Sequence, residues 1–459
     1  MDCKQFWQHI STKKIAICGI GISNTPLILD FISKGARVIA CDRRNRHQIG
    51  EIADKLEAAG AELHLGERYL DDLEVDIIFR TPGMNFYLPE LEQARKRGIA
   101  VTSEMEVFFD LCPATIFAVT GSDGKTTTTT LIAKMLEAEG KKVHIGGNIG
   151  NPLLPRISEI EPDDFVVAEL SSFQLISMRK SPDIAVVTNV APNHLDIHKD
   201  MDEYVEAKKN ILMHQNAFSR TVLNRDNEIT SGFSRYVRGQ SLSFSMERPV
   251  KNGAWLDTDG TLHMCYRGMD VPVMHRNQIS IIGDHNVENY LAAISAVWGY
   301  VSADTIRKVA KEFKGVEHRN EFVREKDGVR YFNDSIASSP TRTIAGLKSF
   351  DQKVMLIAGG YDKHIPFEPL APYIIEKVKF MALSGPTAAA IEKAVTEHPH
   401  YKGSPEIVKV ADIKEAVEII NSKAQKGDIV TLSPACASFD AFPNFEARGK
   451  YFKELVNKL

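Results

Sequence analysis

Short apolar runs rich in β-branched residues recur along the chain and alternate with stretches whose apolar positions fall at helical spacing. That alternation predicts βαβ units and largely parallel sheets, so the expected fold class is α/β. The first series reads as a strand at 14–18, a helix at 24–34 and a strand at 37–41, one Rossmann-type unit, with further strands at 77–79 and 99–101 and a helix at 104–111. A second series opens with a strand at 115–119 and a helix at 128–139 and continues through strands at 165–168 and 184–187. Between about 220 and 282 the texture changes to short strands with turns such as Lys251-Asn252-Gly253 and Thr258-Asp259-Gly260, which predicts an antiparallel insertion. A helix pair is expected at 286–300 and 303–313, and after the turn at Gly315 a third series has strands at 329–332, 354–357, 380–383 and 429–432. Three domains follow: a Rossmann-like one over 1–103, a central one over 104–315 and a second Rossmann-like one over 316–459.

The length, 459 residues, agrees with three domains of roughly 150 residues each. At 43% hydrophobic and 25% charged, the composition is that of a globular protein. The 56 basic residues against 60 acidic ones leave a net charge of -4, which argues against a nucleic-acid or anionic-membrane binder. No apolar run approaches the roughly 20 residues of a membrane helix, so no span is expected. The polar residues 1–5 lead into a strand-like run and lack the features of a secretory signal. Six cysteines (3, 18, 41, 112, 265 and 436) form no Cys-x-x-Cys pair, which suits reduced thiols and a cytoplasmic enzyme.

The strongest local signal is the strand at 115–119 followed by Thr120-Gly121-Ser122-Asp123-Gly124-Lys125-Thr126-Thr127 and a helix. Small residues let successive N–H groups turn toward a phosphate, and the helix N-terminus adds partial positive charge. Lys125 is expected to bridge the β and γ phosphates and Thr126 to offer its hydroxyl to Mg²⁺. The gap from Gly121 to Gly124 is shorter than in the general P-loop pattern, but the strand-loop-helix context supports the reading. Glu169 ends the strand at 165–168, where a parallel sheet faces its ligand crevice. By itself such a residue is more often solvated or helix-capping, but the unusual run Leu170-Ser171-Ser172-Phe173-Gln174-Leu175 that follows weighs against that.

Lys208 stands out within a helix at 202–214, because its neighbours at i±3 and i±4 are Tyr204, Val205, Ile211 and Leu212. A lysine centred on a buried stripe must snorkel, find a carboxylate or be chemically neutralised. Lys209, one step round, is less constrained. His194 and His198 share the i,i+4 spacing of a zinc pair, but no His-Glu-x-x-His pattern accompanies them and Pro192 precedes them. A single imidazole from His194 beside Mg²⁺ or phosphate is the better expectation.

In the flanking domains, Gly19-Ile20-Gly21 follows the first strand and Asp42 ends the second, where a ribose-binding acid would lie. Asn24 replaces the third glycine, so a nicotinamide site and another use of the fold both remain open, while Arg43 and Arg44 favour a phosphorylated ligand. Thr81-Pro82-Gly83 adds a loop to the same crevice. In the last domain, loops at 359–363, 384–387 and 433–438 suit a small anionic ligand held by hydroxyls and Lys363, with ordinary βα turns as the alternative. Cys436 reads as a small packing residue, since no histidine lies nearby in the sequence to activate it.

Taken together these segments resemble the Mur ligases, the ATP-dependent amide-forming enzymes of peptidoglycan precursor synthesis. The resemblance runs through 120–127, 146–150, 169–175, 189–196, 204–208, His285-Asn286, His318-Arg319, 333–335 and 433–449. The runs at 169–175 and 433–440 point within that family to members that add D-glutamate to UDP-N-acetylmuramoyl-L-alanine. The resemblance implies UDP in the first domain, touched by Ile22, Ser23, Asp42, Arg43 and Gly83, with Asn148 and His194 near the muramoyl part. It implies ATP on the loop Thr120, Gly121, Ser122, Asp123, Gly124, Lys125, Thr126 and Thr127, surrounded by Asn286, Asn289, His318, Arg319 and Asp334. Thr126, Glu169, His194 and Lys208 would hold Mg²⁺, expected as two ions, with Lys208 carbamylated; Lys125, Lys208 and His194 would be catalytic. Lys363, Ser438, Phe439 and Phe445 would hold the amino acid. One departure matters: Ile336 stands where the family often has a lysine, and Arg342 is the candidate replacement. A monomer is expected, whose third domain closes to exclude water from an acyl phosphate. The alternatives are a sister ligase or folylpolyglutamate-type synthase using another amino acid, a nicotinamide-dependent oxidoreductase, or a non-catalytic P-loop module.

Overall fold

The structure, a computed structural model, describes residues 2–21, 24–150, 152–192, 198–363 and 365–459. A first sheet contains β1 (Lys14–Cys18), β2 (Arg37–Asp42), β3 (Glu62–Leu65), β4 (Ile77–Arg80) and β5 (Ala100–Thr102), parallel throughout in the order β3-β2-β1-β4-β5. The central sheet contains β6 (Thr115–Thr120), β7 (Val143–Gly147), β8 (Phe165–Glu169), β9 (Ile184–Val187), β10 (Arg220–Asn224) and β11 (Gln240–Phe244), also all parallel, in the order β11-β10-β9-β6-β8-β7. A small antiparallel sheet of β12 (Gly253–Leu256), β13 (Thr261–Tyr266) and β14 (Met269–His275) follows. The last sheet contains β15 (Glu321–Lys326), β16 (Val329–Asn333), β17 (Val354–Gly359), β18 (Val378–Ser384), β19 (Glu406–Lys409) and β20 (Ile429–Leu432), in the order β15-β16-β20-β17-β18-β19, with β15 alone antiparallel. The fold is α/β, as the alternation predicts. β9 and β17 are buried at every position, as strands covered by helices on both faces must be.

Two readings need correction. The antiparallel insertion is confined to β12–β14; β10 and β11 extend the central parallel sheet instead. The turns at 251–253 and 258–260 mark hairpin geometry, whereas β10 and β11 are joined through the helix Glu228–Gly232, the crossover that a parallel pair requires. The polar N-terminus does not lead directly into a strand. Asp2 and Gln5 form a capping box for the helix Cys3–Ile10, which buries Phe6 and Ile10, one turn apart.

The chain divides into two compact units, Met1–Gln278 with Val287–Val309, and Ile279–Asn286 with Ala310–Leu459. In the first unit a continuous core runs from Ile17, Phe31 and Phe79 through Phe108 to Val166 and Val187, so the first and central sheets share buried side chains. In the second unit, Leu356 and Leu383 belong to one buried cluster and Ile357 and Ala382 to another, the alternation of a sheet with two covered faces.

Candidate active site

The loop after β6 is held in shape by glycine. Gly121 has φ 153° and Gly124 φ 78°, and a side chain on either would collide, with the Thr188 hydroxyl and the Asn289 carboxamide respectively. The helix begins at Lys125, three residues before the predicted 128, and runs to Ala138. Threonine is a weak helix former, but Thr127, Thr128 and Thr129 are buried, and Thr128 Oγ1 donates to Asn289 Oδ1 at 3.1 Å. Packing overrides propensity and places Lys125 and Thr126 in the first turn, where a helix gives its N–H groups no intrahelical carbonyl and its dipole is positive. Lys125 Nζ donates to the carbonyls of Gly121 and Ser122, both at 2.9 Å. Ser122 Oγ bonds the Ala191 carbonyl and pairs with the Tyr204 hydroxyl, each at 2.9 Å, and the Asp123 N–H donates to Asn189 Oδ1 at 2.9 Å.

Lys208 sits directly behind this loop. The helix Met201–Met213 buries it to 2% exposure, its ammonium donates to the Gly121 carbonyl at 2.7 Å and to Thr120 Oγ1 at 3.4 Å, and it lies 4.7 Å from the Tyr204 ring centroid. Burial pushes its pKa well below the ordinary lysine value, and the charge of Lys125 pushes it further. Snorkelling is excluded. Lys209 is also buried, paired with Glu206.

Glu169, the last residue of β8, is 2% exposed. Its Oε1 accepts from Asn148 Nδ2 at 2.7 Å, while its buried Oε2 has no hydrogen-bond partner among the described residues. A carboxylate oxygen left unpaired in the interior costs about 1–3 kcal/mol, and it suits a cation. Among the described residues no three His, Cys, Asp or Glu side chains gather as metal ligands. The Mg²⁺ set proposed from sequence leans on the Thr126 hydroxyl, Glu169 and a modified Lys208, with His194 outside the described residues. His198 is no zinc ligand: Nδ1 pairs with Glu203 and Nε2 with Ser172 Oγ, both at 2.9 Å.

At the C-terminal ends of β1, β2 and β4, Asp42 is buried and accepts from the Ile20 N–H at 2.7 Å and from Arg44 through Nε at 3.0 Å and Nη2 at 2.9 Å. Burial works to raise its pKa, but the bonds from Arg44 and Ile20 prevail and hold it below the usual carboxylate range. Arg44, and not its exposed neighbour Arg43, is the partner of Asp42; Gly83 is exposed on the loop after β4. Ile22 and Ser23 lie outside the described residues. Asn24, in place of the third glycine, ties Nδ2 to the Cys18 carbonyl at 3.0 Å.

In the second unit the loops after β16, β17, β18 and β20 converge. The Gly359 N–H donates to the Pro434 carbonyl at 2.8 Å, the Gly360 N–H to Thr387 Oγ1 at 3.0 Å, and Thr387 Oγ1 meets Cys436 Sγ at 3.1 Å. Burial pushes the Cys436 thiol up to about 11, so it packs and does not react. Asp334 is buried and accepts from Ser433 Oγ at 2.7 Å and the Asn320 N–H at 3.2 Å; burial pushes it up to about 7. His318, with φ 64°, bonds Asn333 at 2.9 Å and packs edge-on against Phe445, and burial lowers its pKa. Arg319 carries a buried Nε without a hydrogen-bond partner among the described residues. Asn286 belongs to this unit and Asn289 to the first. Lys363 is exposed with Nζ 3.4 Å from the Ser338 carbonyl, Ser438 is buried, Phe439 is 64% exposed, and Arg342 is exposed near the Ile336 carbonyl at 3.4 Å.

Sequence reading missed Arg448. It is 2% exposed and bonds Ser335 Oγ, the Ser335 carbonyl, and the Ala437 and Cys436 carbonyls at 2.9–3.1 Å, tying two of these loops to the last helix. Its position in the amphipathic helix 445–458 gives no hint of those partners, which all lie in loops.

Residues 119–297 match the Mur ligase middle domain and residues 318–436 the Mur ligase, glutamate ligase domain. The chain is 52% identical over 460 aligned positions to the UDP-N-acetylmuramoylalanine–D-glutamate ligase of Acetivibrio thermocellus, covering 99% of this chain and 98% of that one. It is 50% identical over 460 positions to the enzyme of the same name from Clostridium botulinum strain 657, covering 99% of both. The fold matches the UDP-N-acetylmuramate-alanine ligase of Thermotoga maritima with a TM-score of 0.58 at 18% identity, covering 97% of this chain and 99% of that one. It also matches a pseudomurein peptide ligase from Methanothermus fervidus with a TM-score of 0.55 at 19% identity, again over 97% and 99%. With a phosphate loop backed by a buried lysine, a half-satisfied strand-end glutamate and both domain matches in place, the chain belongs to the Mur ligase family.

Proposed function

We propose that the chain joins D-glutamate to UDP-N-acetylmuramoyl-L-alanine at the expense of ATP, in peptidoglycan precursor synthesis. The likeness in sequence to D-glutamate ligases over nearly the whole chain supports this. The observation that carries the chemistry is the convergence of Lys125, Thr126 and Lys208 on one loop. A nicotinamide site is disfavoured, because Asn24 stands where the dinucleotide loop needs its third glycine and ties its side chain to the Cys18 carbonyl.

In this reading residues 1–103 bind the UDP-sugar through Asp42, Arg43, Gly83, Ile22 and Ser23, residues 104–315 bind ATP, and residues 316–459 bind D-glutamate. Lys125 and the N–H groups at the start of its helix hold the phosphates, with Asn289 against Gly124 beside them. The substrate's L-alanyl carboxylate attacks the γ-phosphorus, ADP leaves, and an acyl phosphate forms. The D-glutamate amine then attacks the acyl carbon, phosphate departs and the amine loses a proton, leaving the amide. Two Mg²⁺ ions, one held by Thr126 and the unpaired Glu169 oxygen and one by Lys208 and His194, would neutralise the anions enough for them to approach. Lys208 takes part as a carbamate: the ammonium first gives up one proton, and the neutral amine then adds to CO₂ and releases a second, turning a buried cation into an anionic ligand. Both ATP and the sugar nucleotide are intracellular metabolites, which supports a cytoplasmic enzyme.

Acceptor-stimulated phosphate release from ATP and UDP-N-acetylmuramoyl-L-alanine tests the assignment. D-glutamate is expected to stimulate it; stimulation instead by L-glutamate, L-lysine or meso-diaminopimelate would transfer the chain to a sister activity. Arg342, on the helix that follows Ile336, is proposed to hold an acceptor carboxylate. Arg342→Ala is then expected to raise the KM for D-glutamate by about tenfold, the cost of one charge-assisted contact, with the KM for ATP unchanged. An unaltered D-glutamate KM would remove Arg342 from the site.

A further inference from the structure

We infer that Arg80 is a positioning residue for the sugar-nucleotide substrate, clamping the loop after β4 onto the segment that follows Glu169. The inference rests on the ligase reading above. Arg80 ends β4 and is 2% exposed. Its Nη2 donates to the Phe173 carbonyl at 3.0 Å and to Ser177 Oγ at 2.7 Å. Ser177 passes a bond of 2.8 Å to Glu106, which also accepts from Ser103. The guanidinium lies 5.4 Å from the Phe86 ring centroid, Arg95 lies 4.1 Å from the same centroid, and the Nε and Nη1 of Arg80 have no hydrogen-bond partner among the described residues.

Such a site is costly for a cation. Two neutral acceptors and an aromatic face replace the water shell, and the Glu106 carboxylate acts through a serine. An apolar side chain of similar length would pack there at lower cost, so what the arginine contributes is a fixed registry between two segments. On one side is Thr81-Pro82-Gly83, the loop proposed to meet the sugar nucleotide. On the other, the Phe173 ring stacks on His198 with centroids 5.0 Å apart and planes 6° from parallel, and Ser172 bonds the same imidazole. His198 in turn holds Glu203, in the first turn of the helix that carries Lys208. One buried side chain thus links the loop for the nucleotide end of the substrate to the segments flanking its reacting end. A misplacement of about 1 Å between such segments can cost about a hundredfold in rate.

Steady-state kinetics and calorimetric titration of UDP-N-acetylmuramoyl-L-alanine, on the full chain, test this. Arg80→Met is expected to raise both the KM and the Kd for that substrate by at least about tenfold while the KM values for ATP and D-glutamate stay within about twofold. Arg80→Lys recovers part of the loss, because an ammonium reaches one acceptor but cannot fork to two. A sugar-nucleotide KM within about twofold of the parent, or a parallel rise in all three KM values, overturns the inference and leaves Arg80 a packing residue. If Arg80→Met does not fold, Ser177→Ala removes one strand of the clamp; it should raise the same KM about threefold, and no change counts against the inference. Should the parent itself show no acceptor-stimulated phosphate release, the ligase reading falls, while the calorimetric comparison still decides whether Arg80 positions the sugar nucleotide.

Discussion

Lys208→Met is expected to lower kcat by on the order of 10³, the scale of losing an electrostatic group at a reacting phosphoryl, and at the same time to make the folded chain more stable at neutral pH. Loss of a ligand that carries charge to the reacting phosphates accounts for the first effect. The second follows from burial. An unfolded chain keeps its lysine protonated up to about 10.5, whereas in the fold burial and Lys125 drive the proton off at lower pH. Between the folded and unfolded values the unfolded state binds more protons, so the lysine's contribution to stability rises with pH across that window and is least favourable below the folded value. Methionine is neutral throughout and keeps the packing with Tyr204, Ile211 and Leu212. The stability gap between variant and parent, measured in CO₂-free buffer by denaturant unfolding, should therefore be widest at low pH and close toward pH 10.5. A variant that keeps a tenth or more of parental kcat, or that is less stable than the parent at every pH, would contradict the role given to this side chain.

How Lys208 could be read from sequence, and Arg448 and Arg80 could not, is instructive. Lys208 interrupts an apolar stripe, so helical periodicity alone exposes the conflict between its charge and its position. The phosphate loop is equally local: glycines, a lysine and a hydroxyl within eight residues fix the geometry that the structure shows. Arg80 ends an ordinary strand and Arg448 sits among other polar residues of a helix; what makes them unusual is their bonds to Phe173, 93 residues from Arg80, and to Ser335, 113 residues from Arg448. Long-range pairing leaves no trace in local pattern. The same reasoning explains the misread strands β10 and β11, whose sequences fit parallel and antiparallel neighbours equally well until the connecting helix is placed. Likewise three strand-end loops of the second unit suit an anionic ligand by composition alone, but only the sheet order β16-β20-β17-β18 brings them and the loop after β16 to one place.

Glu169→Gln, an almost isosteric change, is expected to lower kcat by about 10²–10³ and to weaken the response to Mg²⁺, because it reverses the polarity of one atom. Glu169 Oε1 is committed to Asn148 Nδ2 at 2.7 Å, and Oε2 is the oxygen left free. A glutamine must keep its carbonyl toward Asn148 to preserve that bond, which turns its NH₂ toward the position proposed for the cation. Two N–H dipoles then face a divalent ion that needs an oxygen. The fold loses nothing by the exchange, since size and the Asn148 bond are retained. Binding that favours the native state raises its stability in proportion to the logarithm of ligand over Kd, so the midpoint of thermal unfolding reads the metal without requiring turnover. With ATP present, titration of Mg²⁺ should raise the parent's midpoint at lower concentrations than the variant's, while the two coincide when the metal is chelated. Identical Mg²⁺ titrations for the two chains would show that the free oxygen of Glu169 serves some purpose other than holding the ion.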